Sequence, residues 1–174
     1  TTEATVPADA VGTARVVARE PGVIAGIPVA LEVLRQVSES LGVEVAATVL
    51  APDGTRVTPG GAILEITGPL RCLLTAERTL LNYLGQLSGV ATATARWVDA
   101  IAGTGAAVRD SRKTVPGMRT LQKYAVVCGG WRNHRMTLGD AALIKDNHVA
   151  AAGSVAAAFR AVRAAAPEVT VEVE

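Results

Sequence analysis

The second half of the chain alternates short apolar runs with helical stretches, and no other feature restricts the fold as strongly. Ala106 to Asp110 reads as a strand, Met118 to Cys128 as a helix, Ala141 to Lys145 as a strand, Ser154 to Ala165 as a helix and Val169 to Glu174 as a strand. Strands separated by whole helices do not close as hairpins; the crossover is long enough to return to the same edge, so they pair in parallel. The rhythm predicts an α/β fold whose second half is a barrel or an open sheet. In both architectures ligands gather at the C-terminal ends of the strands. Here each strand runs into chemistry: Arg-Asp-Ser-Arg-Lys at 109–113, Ile-Lys-Asp-Asn-His at 144–148 and Glu-Val-Glu at 172–174.

The first half reads differently. Residues 12 to 20 (GTARVVARE) alternate with the period of a strand, and Pro21-Gly22 ends the run with a turn. From Pro28 to Leu41, apolar Ala30, Leu31, Leu34, Val37 and Leu41 recur at helical spacing, and Gly42 stands where a helix end favours a left-handed residue. Val43 to Leu50 and Ala62 to Thr67 flank two turn signals, Pro52-Asp53-Gly54-Thr55 and Pro59-Gly60-Gly61, which predicts an antiparallel pair. Leu70 to Ala102 is helical, with Leu73, Leu80, Leu84, Leu87 and Ala91 on one stripe; Gly85 and Gly89 break it into two expected helices.

Composition narrows the class. Hydrophobic residues make up 49% of the chain but aromatic ones only 3%, which suits helices packed closely on sheets better than an aromatic binding surface. Charge or Gly interrupts every apolar stretch before it could span a bilayer, and no secretory leader opens the chain, so a cytoplasmic protein is expected. Cys72 and Cys128 lie far apart without a C-x-x-C pair or clustered His, and read as two buried free thiols. The chain opens on Thr1-Thr2 without an initiator Met and closes on a strand-like Val-Glu-Val-Glu, so both ends are expected to be cut.

Cations are concentrated. Residues 109–148 hold 8 Lys/Arg against 3 Asp/Glu, whereas residues 1–108 hold 7 against 10. Both histidines, His134 and His148, fall in the cationic stretch. A solvated helix face would set such charges at i, i+4 with acidic partners; these are interleaved with Gly-Gly, Asn, Asp and Pro-Gly at element ends, the pattern of an anion site.

In RDSRKTVPGMR (109–119), Arg112 and Lys113 follow a strand and precede a helix start marked by Pro116-Gly117. A helix N-terminus with adjacent guanidinium and ammonium groups suits carboxylate or phosphate. CGGWRNHR (128–135) adds His134 and Arg135 as donors after a flexible Gly129-Gly130. In LIKDNH (143–148), Lys145 at the mouth of an apolar strand calls for an anion, while His148 reads as a hydrogen-bonding partner of the adjacent turn. Glu172 and Glu174 share one side of the last strand by its two-residue repeat, and a single carboxylate at its end suffices to meet a metal that arrives with phosphates.

Taken together, AERTLLNYLGQLSGVATAT (76–94), RDSRKTVPGMRTLQKYAV (109–126), GGWRNHR (129–135), ALIKDNHV (142–149) and VEVE (171–174) resemble the quinolinate phosphoribosyltransferase family over nearly the whole chain. The resemblance implies an N-terminal α/β (α+β) domain over residues 1–83 and an incomplete β/α barrel from 84–174, here cut after about three βα strands. It implies transfer of a phosphoribosyl group from phosphoribosyl pyrophosphate to quinolinate with decarboxylation, giving nicotinate mononucleotide, in a homodimer. By the same resemblance Arg112, His134, Arg135 and Lys145 hold the two carboxylates of quinolinate, and Lys113 is shared between the base and phosphoribosyl pyrophosphate. Glu174 faces the ribose and Mg2+, and Arg78 reaches into the partner's site; Lys113 and Glu174 are the expected catalytic residues.

Two positions depart from the family pattern, Trp131 where a third glycine is common and Ser111 where Thr is common. The chain also stops before the family's later acidic residue and phosphate-holding loops, so alone it is expected to be inactive. Two rivals are weaker. A related phosphoribosyltransferase that does not decarboxylate would need fewer cations around its base. A nucleic-acid or general anion-binding module would bring more aromatics into the basic stretch than Tyr124 and Trp131.

Overall fold

The computed structural model describes residues 1–174. The chain divides into two compact units, one of Thr1–Asp110 with Thr114–Arg132, the other of Ser111–Lys113 with Asn133–Glu174. It is a mixed α/β protein, with an N-terminal domain and part of a β/α C-terminal domain.

In the first unit the order is α1 (Thr2–Thr5), β1 (Val11–Val17), β2 (Gly22–Val23), α2 (Ile27–Leu41), β3 (Ala46–Val49), β4 (Arg56–Val57), β5 (Ala62–Pro69), α3 (Leu70–Ala100) and α4 (Arg119–Cys128). The expected antiparallel pair forms between β3 and β5, in register from Ala46↔Thr67 to Val49↔Leu64. Sequence reading did not foresee that β1 takes the other edge of β5, also antiparallel. On β5, Leu64, Ile66 and Gly68 are buried while Thr67 is exposed, the alternation of a sheet with one covered face. On the open face Arg15 meets its cross-strand neighbour Glu65 at 2.6 Å, and the hydroxyls of Thr13 and Thr67 lie 2.8 Å apart.

Helix α2 buries Ala30 and Leu34 and ends at Gly42, whose φ of 64° is the left-handed value expected there; Leu41, in the last turn, is exposed. Asp53, in the predicted Pro-Asp-Gly-Thr turn, accepts from the backbone N–H groups of Gly26 and Ile27 at 3.1 and 3.0 Å and so satisfies the start of α2. Tyr124 on α4 donates its hydroxyl to the same carboxylate at 2.6 Å.

The largest correction concerns Leu70 to Ala102, expected as two helices and found as one of 31 residues. Gly85 and Gly89 are exposed, while Leu73, Leu80, Leu84, Leu87 and Ala91 form an unbroken buried stripe past them. A glycine costs a helix roughly 1 kcal/mol, less than the burial of one of those leucines returns. The stripe serves two cores in turn. Leu73, Leu80 and Leu84 pack with α2 and the sheet, around Ile27, Leu34, Leu64 and Ile66; Leu87, Ala91 and Ala95 pack with Val23, Ala25 and Ala125 of α4. Gly129 permits that second contact, since a Cβ there would lie 2.6 Å from the Ala91 carbonyl oxygen.

A second correction falls on Ala106 to Asp110, which forms no strand but a single parallel bridge, Arg109↔Arg132. Ala106 and Ala107 are exposed, so the run has no apolar face to bury beyond that one pairing. A third is Cys128, half-buried where burial was expected because it is the last residue of α4; Cys72 is buried and both thiols are free.

The second unit contains β6 (Ala142–Ile144), α5 (Asp146–Ala152), α6 (Val155–Ala165) and β7 (Val171–Val173). Strands β6 and β7 pair in parallel with Leu143 opposite Glu172, so the predicted crossover rule holds, though the crossover carries two helices rather than one. Ser154 caps α6 by accepting from the Ala157 N–H at 3.1 Å. No helix of the chain is long and apolar enough to cross a membrane.

Candidate active site

The strand ends of the second unit carry its chemistry. Strand β6 buries Ile144 and hands over to Lys145, which is the N-cap of α5. The Lys145 backbone N–H donates to Nδ1 of His148 at 2.9 Å, the turn-partner role read for His148 from sequence. On the neighbouring strand Glu174 donates its backbone N–H to the Ile144 carbonyl at 2.9 Å, which brings the two strand mouths level. The Lys145 ammonium pairs there with the Glu174 carboxylate. That hydrogen bond, the charge of Lys145 and the more distant charge of Lys113 hold the Glu174 carboxyl below its usual range.

Glu172, one pleat back along the chain, meets a different side chain: its carboxylate oxygens lie 3.0 and 2.8 Å from Nε2 of His134. Arg135 donates through Nη1 to the Ala141 carbonyl at 2.9 Å, just before β6. Asp140 closes the intervening loop by accepting from the backbone N–H groups of Met136 and Thr137 at 2.7 and 3.0 Å. In the Ser111–Lys113 segment, Ser111 Oγ accepts from the Lys113 N–H at 3.1 Å. The Arg112 Nε is buried and has no hydrogen-bond partner.

A cavity of about 680 Å³ collects several of these groups: Arg112, Arg135, Lys145 and His148 line it, together with apolar residues such as Leu138 and Ile144. A buried guanidinium nitrogen without an acceptor leaves a polar group unsatisfied, which an anion in the cavity would relieve. Three of the sequence-derived cations thus share one hollow. His134 and Lys113 do not line it, His134 facing Glu172 and Lys113 standing beside Arg112 in the chain. Arg78 lies in the other unit, exposed on α3.

Sequence reasoning gave no role to the buried pair of Lys123 and Asp110. Lys123 on α4 is completely buried, and its Nζ lies 2.7 Å from Oδ1 of Asp110, itself almost buried. No spacing marks it, because in the sequence Lys123 is one more cation of a basic stretch. For a metal the donor set is sparse: no three His, Cys, Asp or Glu side chains come together as a binding group. An exposed carboxylate such as Glu174 suits a hard cation that brings most of its oxygen ligands with it.

Comparison with known proteins gives a consistent result. A family model described as the N-terminal domain of quinolinate phosphoribosyl transferase matches residues 1–88, and one described as its C-terminal domain matches residues 90–174. A Mycobacterium leprae protein named nicotinate-nucleotide pyrophosphorylase (carboxylating) is 59% identical over 174 residues, which are 100% of this chain and 61% of that protein. A human protein of the same name is 40% identical, over 90% of this chain and 51% of that protein. Among solved structures, NadC from Streptococcus pyogenes superimposes with a TM-score of 0.90 at 43% identity, covering 99% of this chain and 60% of that one. The nicotinate-nucleotide pyrophosphorylase from Francisella tularensis does so with a TM-score of 0.90 at 39% identity and the same coverage. The chain therefore spans 61% of the length of the Mycobacterium leprae protein and 60% of each of these two solved structures.

Proposed function

This chain belongs to the quinolinate phosphoribosyl transferase family, and from that premise we propose that the full-length protein joins quinolinate to the ribose of phosphoribosyl pyrophosphate and releases carbon dioxide. The observation that carries the reading is the cavity lined by Arg112, Arg135 and Lys145, with the Arg112 Nε buried and unpartnered. Quinolinate bears two carboxylates on adjacent ring carbons. A hollow that holds it beside a polyphosphate needs a dense set of cations, because the two anions repel each other most strongly where water is scarce.

Arg112 and Arg135 offer planar forks that suit carboxylates, and Lys145 a point charge. Lys145 is held by Glu174, so at that cation an entering carboxylate exchanges one carboxylate partner for another. Such an exchange limits the desolvation cost of keeping unpaired cations ready. Lys113, whose charge is felt at Glu174, would in this reading serve both the base and the pyrophosphate. Glu174 is the carboxylate that would face the ribose and Mg2+, which when bound supplies charge neutralisation at the departing pyrophosphate.

In the reaction so read, the quinolinate ring nitrogen forms a bond to the anomeric carbon as the bond from that carbon to pyrophosphate oxygen breaks. No protein nucleophile takes part, and positioning with charge stabilisation provides the acceleration. The bond to the carboxylate next to the alkylated nitrogen then breaks, carbon dioxide leaves, and the electron pair left on the ring, stabilised by the adjacent positive nitrogen, takes up a proton. The product is nicotinate mononucleotide, a precursor suited to NAD synthesis.

The same reading makes the protein a cytoplasmic homodimer. Cys72 and Cys128 are free thiols, the state a reducing compartment maintains. Arg78 is exposed on α3 and makes no hydrogen bond or ion pair within the chain, as befits a cation destined for a neighbouring subunit's anion. The deciding experiment supplies full-length protein with phosphoribosyl pyrophosphate, Mg2+ and quinolinate labelled in the carboxylate next to nitrogen. Labelled carbon dioxide in step with pyrophosphate supports the proposal; consumption of base without gas overturns it in favour of a transferase that does not decarboxylate.

A further inference from the structure

A lysine sealed from solvent is expensive to keep, and Lys123 is one: its side chain is 0% exposed against 8% for Asp110, 2.7 Å away. The cost of removing two charges from water often matches or exceeds what their attraction returns, and replacing a buried ion pair by apolar residues of similar volume is often neutral or stabilising. What an apolar pair lacks is direction, since a short charge-assisted hydrogen bond fixes the carboxylate relative to the ammonium in both distance and angle.

The position of the pair gives that direction a use. Asp110 is covalently next to Ser111, Arg112 and Lys113. The Arg112 Nε is buried without a hydrogen-bond partner, so the backbone from which the side chain springs contributes to where its guanidinium points. That backbone is tied at its start. Arg109 bridges in parallel to Arg132 at the far end of the α4 crossover, and Lys123 reaches from the middle of α4 to Asp110. Beyond Asp110 the Ser111 hydroxyl takes the Lys113 N–H at 3.1 Å, so the turn begins immediately after the anchored residue. Helix α4 is seated in turn on α3, with Ala125 buried and Gly129 packed against Ala91 and Thr94.

We infer that Lys123 and Asp110 are positioning residues, a buried ion pair kept to aim the segment bearing Arg112 and Lys113 rather than to stabilise the fold. The inference rests on the reading of that segment as the holder of the anionic substrates. Neither residue touches substrate in this account.

The test replaces both partners together in the full-length protein, as Lys123→Met with Asp110→Leu, and separately as Lys123→Met with Asp110→Asn to retain the shape and local polarity at 110. Three readouts are taken: thermal midpoint, amide hydrogen exchange of the peptide covering 111–115, and calorimetric titration with quinolinate. At least one double variant is expected to keep its midpoint within about 3 °C of wild type, to exchange about tenfold faster across 111–115 with α3 unchanged, and to bind quinolinate about tenfold more weakly. A variant that keeps its midpoint with native exchange and native affinity overturns the inference. So does failure of both double variants to fold, which would make the pair a stability element. Wild type that does not bind quinolinate would defeat the functional reading instead, and the exchange measurement would still decide the role of the pair.

Discussion

Nε2 of His134 lies 2.8 Å from a carboxylate oxygen of Glu172, on a strand whose next outward residue on that side, Glu174, holds Lys145. Two glutamates two positions apart thus engage two separate nitrogen-bearing side chains, the His134 ring and the Lys145 ammonium. The arrangement follows from the period of a strand, which sends residues two apart to the same face.

Arg135→Ala and Lys145→Ala, each made in the full-length protein, are expected to weaken quinolinate binding by about 1.5 to 3 kcal/mol, the range for hydrogen bonds to charged groups. Isothermal titration measures this directly. Native affinity in both variants would remove these residues from the site.

Lys123→Met alone is expected to destabilise the protein by about 3 to 5 kcal/mol, because it removes the ammonium that lies 2.7 Å from the nearly buried Asp110 carboxylate. Urea unfolding provides the number, and a loss under about 1 kcal/mol would mean that solvent or another group compensates Asp110.

Gly85→Ala and Gly89→Ala are expected to stabilise the chain by roughly 0.5 to 1 kcal/mol each. Both glycines sit on the exposed face of one continuous helix, and a Cβ at either would meet nothing within 4 Å. A fall in thermal midpoint for both would mean that the helix bends there or that the face is covered.

Acid should weaken α2 through Glu32. Its carboxyl is lowered from 4.5 to about 2, first by the hydrogen bond from Arg35 and then by that from Gln36. A carboxylate whose folded pKa lies below its unfolded one binds fewer protons when folded, so the stability it adds is complete above pH 4.5 and is lost as pH falls toward about 2. The group is fully exposed, so the effect is small and screened by salt. The gap in urea midpoint between wild type and Glu32→Gln should be constant near neutrality and close below pH 4.5 at low ionic strength; a gap that widens in acid contradicts the assignment.

Part of the candidate site could be read without coordinates because it lies at strand ends. Lys145 and Glu174 follow short apolar runs, and a chain that must bury such runs in a parallel sheet brings their C-terminal residues to one rim. His148 was likewise recognisable as a turn partner, since its bond to Lys145 spans three residues. Periodicity within one element also survived folding: the stripe from Leu73 to Ala91 is the buried face of α3.

What failed was whatever depended on a distant neighbour. Gly85 and Gly89 are helix breakers by propensity, yet α3 runs through them because two different cores hold its ends. Ala106 to Asp110 has a strand's composition but one pairing only, because no apolar partner covers it. The local period, the Gly42 end of α2 and the placing of Lys145 after an apolar run were set by the sequence itself, since each depends on residues a few positions apart. The tertiary structure alone decided that Lys123 would be sealed against Asp110 and that Glu172 would face His134. Those pairs join residues 13 and 38 positions apart, and the free energy that selects them comes from burial and charge compensation, which exist only once the chain has closed on itself.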